Sequence, residues 1–378
     1  MSEEERQELE NIAVEIQSSA TEGPSSEGSS HWHVPVGFQD TGLAIGNPRT
    51  WTGLRLNFAD HDVDEIRGVN VSAWSWKKPS VQDMRGLGLG LNSRVVNGRG
   101  VSLGVLDSTA EDSFRGLQVG GGAVVAGGEA RGLSIGGLAA VAGSDTRGLS
   151  ASGLAVVTGG TQRGVHLAGI ANVAAKDSSG LSVAGLGSVT LGDRTGVQAG
   201  GLAVVSLGDA RGFSAAGLGN VSQGAISGIA LGGLATVAAH DIDGLAISGL
   251  STVFGGSFTG IGLGGLTVGD NESAGIQNPF GGPLQSGSYS SATGLMLAGY
   301  KVQASEITGI TGALVNRTNF LTGLAVGGMN RVTGTQTGLS IGLFNQATML
   351  DGVQIGLLNH VAENPWWARW LPLVNARF

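Results

Sequence analysis

The stretch GLSIGGLAAVAGSDTR, residues 132–147, recurs in altered form on both sides of itself, and its period decides the architecture. Its first glycine has counterparts at Gly116, Gly148, Gly164, Gly180, Gly196, Gly212, Gly228, Gly244 and Gly260, sixteen residues apart without a slip. A second glycine ladder runs from Gly121 through Gly137 to Gly265, and a valine ladder from Val125 through Val141 to Val253. Outside this block the period loosens: Gly42, Gly53, Gly68, Gly86 and Gly100 precede it, and Gly275, Gly294, Gly309, Gly323, Gly338 and Gly352 follow it. A repeat this short cannot bury its own apolar face, but stacked neighbours bury it together. The expected fold is all-β: a parallel β-solenoid of roughly twenty coils, each 14–16 residues long. At about 4.8 Å per coil it makes a rod of roughly 100 Å.

Within the coil, Leu133 and Ile135 are two apart and share one face of a strand, opposite Ser134. Gly136 and Gly137 read as a corner, and GSDTR as a polar return turn. The spacing of Leu138 and Val141 breaks strand alternation, and a bend between them is expected to turn both inward, which makes the valine ladder a core row. In the C-terminal coils Asn316, Asn330, Asn345 and Asn359 each fall seven residues after the coil's glycine. Asparagine tolerates left-handed backbone, so these predict stacked corners.

Composition agrees with a repeat fold. The 378 residues include 69 Gly, 41% are apolar and only 13% are charged. Glycine is not at every third position, which excludes collagen. The net charge of −8 argues against a nucleic-acid partner and against an anionic membrane surface. Cysteine is absent, so disulfides and thiolate metal sites are excluded. No apolar run reaches the length of a membrane-spanning helix. The opening SEEERQELENIAVEIQ has neither a basic n-region nor an apolar core, so no signal peptide is expected. The chain then reads as a mature form, although a cytoplasmic location stays open.

The expected divisions are a disordered acidic tail (1–30), N-terminal capping coils (31–85) and a regular sixteen-residue solenoid (86–269). A surface loop (270–292), C-terminal coils (293–361) and a C-terminal cap (362–378) complete the chain. All seven Trp lie outside the regular stretch and are expected to cap its ends.

Motifs of catalysis are missing. Glu129, Asp145, Asp177, Asp193, Asp209 and Asp241 share one phase, with Arg131, Arg147, Arg163 and Arg211 two positions later in the turn and Arg115 leading their series. One acid per turn does not make a calcium turn, so ion pairing is expected. Of the six His, only His31 and His33 are near each other, too few for a metal site. GGLAVVSLG and its relatives lack the GK[ST] of a phosphate loop. No cofactor and no catalytic residue is expected.

The position taken to point outward holds Gln118, Ser134, Ser150, His166, Ser182, Gln198 and Ser214, then Ala230, Ala246 and Gly262. This smooth face is the expected interaction surface, for a second copy or filament, a polysaccharide or a protein. A second candidate is the 270–292 loop, at Asn278, Pro279, Phe280 and Tyr289.

GLSIGLFNQ at 338–346 and GVQIGLLNH at 352–360 resemble the Gly-rich surface-repeat proteins of bacteria first noted in Leptospira and also found in Bacteroidetes and related phyla. WARWLPLVNARF at 367–378 and GLRLNFADHDVDEIRGVNV at 53–71 are similar to the ends of that family. The resemblance covers residues 42–378, although Ala or Gly replaces Asn in most central coils. It implies an envelope or surface location and no activity. The leading expectation is therefore a non-enzymatic surface solenoid with a structural, adhesive or self-assembling role. The alternatives are an outer-membrane β-barrel, for which the terminal Phe378 speaks, and a carbohydrate-active β-helix enzyme.

Overall fold

The computed structural model describes residues 32–38, 40–75, 81–270 and 290–378, and among them there is no helix. The chain winds into a parallel β-solenoid of about eighteen turns. In the regular region each coil contributes a seven-residue strand such as Ser178–Ala184 and a four-residue strand such as Gly187–Thr190. Each strand pairs with its equivalents one coil before and one coil after, in the sixteen-residue register that the glycines mark. Leu149 faces Val165, Val165 faces Leu181, and Leu181 faces Val197. Neighbours are parallel throughout this stack, unlike the antiparallel strands of an up-and-down barrel.

Two glycines per coil are needed for different reasons. Gly180 has φ +109°, and a Cβ there would lie 2.2 Å from the Gly164 carbonyl oxygen. Gly185 has no positive φ, but a Cβ would lie 2.0 Å from the Gly169 carbonyl oxygen. The first lets the strand turn; the second lets successive coils approach at the corner.

The inside of the rod is not where the sequence pattern put it. In the coil that begins at Gly180, Ser182, Ala184, Ser188, Thr190 and Arg194 are buried. Leu181, Val183 and Val189 are half-buried and Leu186 is exposed. Leu133 and Ile135 do share a face, but it is the outer one, and Leu138 and Val141 also point out. The valine ladder from Val125 to Val237 is an outward row, and only its last member, Val253, is buried. The reason is volume. Five inward positions converge on one narrow axis, which holds Ser, Ala, Thr, Val or Asn but not a full set of leucines. Where a large ring does enter, its neighbour shrinks: a Cβ on Gly262 would meet Phe258 at 2.9 Å, and one on Gly98 would meet Phe114 at 2.4 Å.

The core changes character along the rod. Between Gln118 and Asn220 it is rich in Ser, Thr, Gln and Asn. Ile226, Ile242, Phe254, Phe258, Met296 and Ile307 then form an apolar section. Beyond it runs an amide ladder. Asn316 Nδ2 donates to Asn330 Oδ1 (2.7 Å), Asn330 Nδ2 to Asn345 Oδ1 (2.7 Å) and Asn345 Nδ2 to Asn359 Oδ1 (2.8 Å). These asparagines stack as expected, but they lie inside strands and none has positive φ. Near the N-terminal end, buried Arg55 pairs with Asp60 (2.7 Å) and donates to Asn70 (2.8 Å).

Both ends of the stack are closed by a reversed strand. His33–Phe38 runs antiparallel to Thr41–Gly46, and Trp370–Arg377 antiparallel to Met349–Val361. This covers the edge that an open solenoid would offer for aggregation. Of the aromatic caps, Trp51 is buried with its indole donating to the Gly42 carbonyl at 3.2 Å, and Trp370 lies on His360. Trp32, Trp74, Trp366 and Trp367 are exposed, and Trp76 lies outside the described residues.

This inside-out assignment is directly testable. Ser134→Asp should destabilise by about 3 kcal/mol or more, because it buries a carboxylate in a coil whose other inward residues are Gly136, Ala140, Ala142 and Thr146, with no cation to pair with it. Val189→Asp, on the outer row, should shift the melting temperature far less. Thermal unfolding followed by circular dichroism compares the two, and the opposite ranking would overturn the placement.

Candidate functional site

The seven residues expected to form an outward face, Gln118, Ser134, Ser150, His166, Ser182, Gln198 and Ser214, are all buried, so they are no interaction surface. They serve the core instead. Gln118 Nε2 donates to the Ser108 carbonyl at 3.0 Å, Asn220 Nδ2 to Ser214 Oγ at 2.6 Å, and Arg194 Nη1 to Gln198 Oε1 at 3.0 Å. Neither ring nitrogen of His166 makes a well-formed hydrogen bond. Burial, outweighing a backbone contact with Arg163, lowers its pKa to about 4, so it is neutral at pH 7. The loop positions Asn278, Pro279, Phe280 and Tyr289 lie outside the described residues, as do His31 and the 1–30 tail.

The outer surface is divided lengthwise by chemistry. Consider the nine coils that begin at Gly116 and end with that of Gly244. Their first eleven positions contain a single ionisable side chain, the inward His166. The outer rows on these two faces are Leu, Ile, Val, Ala and Gly, with one Phe (Phe213) and one Ser (Ser251). The most exposed row sits at the corner between the faces: Leu138, Leu154, Ile170, Leu186, Leu202, Leu218, Leu234 and Leu250 are each 42–56% exposed. All other ionisable side chains lie in the last five positions of the coil, along one edge, with Arg194 alone turned inward.

That edge is organised by carboxylates. Asp145 Oδ1 accepts the Thr161 backbone N–H (2.9 Å), Asp177 that of Asp193 (3.0 Å), Asp193 that of Asp209 (2.9 Å) and Asp209 that of Ala225 (3.0 Å). Each acid thus satisfies a donor in the turn of the next coil. The expected ion pairs form at fewer places: Arg131 with Glu129, Arg147 with Glu129 (3.6 Å) and more loosely with Asp145 (4.0 Å), and Arg211 with Asp209 (3.1 Å). The Arg131 guanidinium holds the Glu129 carboxyl below its ordinary value.

Among the described residues no group of three or more His, Asp and Glu side chains could hold a metal. Among them, too, no helix is long and apolar enough to cross a membrane, which says nothing about strands. Sequence reasoning missed the aliphatic corner row, although its signal was present: one Leu or Ile per coil at a constant phase, preceded every time by Gly. Comparison of the chain with protein-family models, with curated proteins and with solved structures finds no match.

Proposed function

We propose that this protein is a non-enzymatic structural element of the bacterial cell envelope that works by self-assembly, its two aliphatic faces packing against those of further copies. The single observation that carries this is the confinement of charge to one edge while two faces stay uncharged over nine coils. Soluble monomers rarely expose a contiguous apolar surface of that size. Positions two to seven of nine coils cover about 20 by about 43 Å, roughly 850 Å², where a stable interface needs about 800 Å² per partner. Flat rows in a common register let one rod lie along another without side-chain conflict. The resemblance of the C-terminal coils to bacterial surface repeats supports the envelope setting.

Light scattering coupled to size exclusion in detergent-free buffer is expected to give a species of two or more copies. The triple variant Leu186→Lys, Leu202→Lys, Leu218→Lys, at exposed positions, should keep its circular dichroism and fall to monomer. A monomeric wild type would sink the proposal. The exposed Trp366 and Trp367 favour a second reading, in which the same faces rest on lipid. Flotation of the wild type with phospholipid vesicles, in place of self-association, would replace the first reading with this one.

A further inference from the structure

The outward row that carries valine through the regular coils changes abruptly near the C-terminal end. In parallel register, Val253 is followed by Gly269, Gln303, Arg317, Arg331, Gln346 and His360. A strip of aliphatic surface thereby becomes a strip of nitrogen-bearing side chains, one per coil, at about 4.8 Å spacing. The arginines at its centre are exposed and form no ion pair among the described residues, unlike buried Arg55 with its Asp60. Like charges stacked directly opposite repel, and the crowding reaches Lys301 nearby, whose pKa is lowered by burial and then by Arg317.

Beside this row lies a recess of about 360 Å³, lined by Asp270, Gln303, Arg317, Asn319, Arg331 and Thr333 among others. The Gln303 Oε1 atom is buried without a hydrogen-bond partner. The one carboxylate in the lining, Asp270, accepts from Ser290 Oγ at 2.8 Å, and the two arginines with Lys301 nearby outnumber it, so this hollow calls for a ligand with both acid groups and hydroxyls. It also calls for a linear one, because the row follows the rod axis. The row ends at His360, which is covered by the Trp370 ring at 4.2 Å between centroids.

We propose that Gln303, Arg317, Arg331 and Gln346 bind an anionic polysaccharide laid along the rod, with carboxylates on the two arginines and sugar hydroxyls in the recess. Guanidinium takes carboxylate in a bidentate fork, and the coil spacing is close to the advance of one sugar unit. A stacked nucleic-acid strand advances only about 3.4 Å per phosphate, and no exposed aromatic side chain lines the recess to stack on bases. This site does not depend on the aliphatic faces and stands or falls apart from them.

The test is a titration of full-length protein with polygalacturonate at low salt, read by isothermal calorimetry, with pullulan as the neutral control and oligothymidylate as the nucleic-acid control. Binding of polygalacturonate alone is expected, weakening steeply as salt rises. Arg317→Gln with Arg331→Gln should weaken it at least tenfold with an unchanged circular dichroism spectrum, whereas Arg147→Gln with Arg211→Gln on the polar edge should not. Absent binding, equal binding by the Arg317/Arg331 variant, or tighter binding of oligothymidylate would each overturn the proposal.

Discussion

Gly180→Ala should lower the stability of the solenoid by about 4 kcal/mol or more, the largest effect expected of any single methyl group in this protein. Two penalties add. The φ of +109° is one that L-residues rarely adopt, and the new Cβ would fall 2.2 Å from the Gly164 carbonyl oxygen. That oxygen belongs to the adjacent coil, so relief requires the stack itself to open, and the parallel pairing of Ser178–Ala184 with its neighbours opens with it. Gly219 is the control. No heavy atom lies within 4 Å of its ideal Cβ and its φ is not positive, so Gly219→Ala should be neutral or stabilise by a few tenths of a kcal/mol. Guanidinium chloride unfolding of the two variants separates them. Similar midpoints would mean that the glycine ladder reflects composition and not coil geometry.

Asn330→Leu is expected to cost about 2–4 kcal/mol. The side chain is fully enclosed, accepts from Asn316 Nδ2 and donates to Asn345 Oδ1 and to the Ile341 carbonyl at 3.0 Å. Leucine leaves Asn345 Oδ1 facing an apolar group in a closed interior. The damage should be less than additive when the orphan is removed too: Asn330→Leu with Asn345→Leu should cost less than the sum of the single variants. Additive losses in thermal melts of the three proteins would show that the amides act singly and not as a ladder.

Much of this architecture was legible in the sequence. The constant sixteen-residue spacing of Gly116 through Gly260 specified parallel stacking, and Asn316 to Asn359 specified a ladder. The direction of the side chains was not legible. Alternation says that Leu181 and Val183 share a face opposite Ser182, but it is symmetric under exchange of inside and outside. The usual tie-breaker, apolar side in, fails in a tube too narrow for a leucine at every inward position. The carboxylates of Asp177 and Asp193 were visible as a row, yet their backbone partners belong to the next coil and could not be read from a single turn. Arg317 and Arg331 escaped notice because each follows a ladder asparagine and looks like part of its corner. Only the register places them one above the other on the outer surface.

The unbroken sixteen-residue register also has a genetic meaning. Any recombination that adds or removes sixteen codons within the regular block joins one coil to another in phase, so glycine meets glycine and each carboxylate still meets a turn amide. Length is thus the property that such a gene can vary most freely. A lineage carrying it can lengthen or shorten its rods in steps of one strand spacing, while the closing strands at both ends stay as they are.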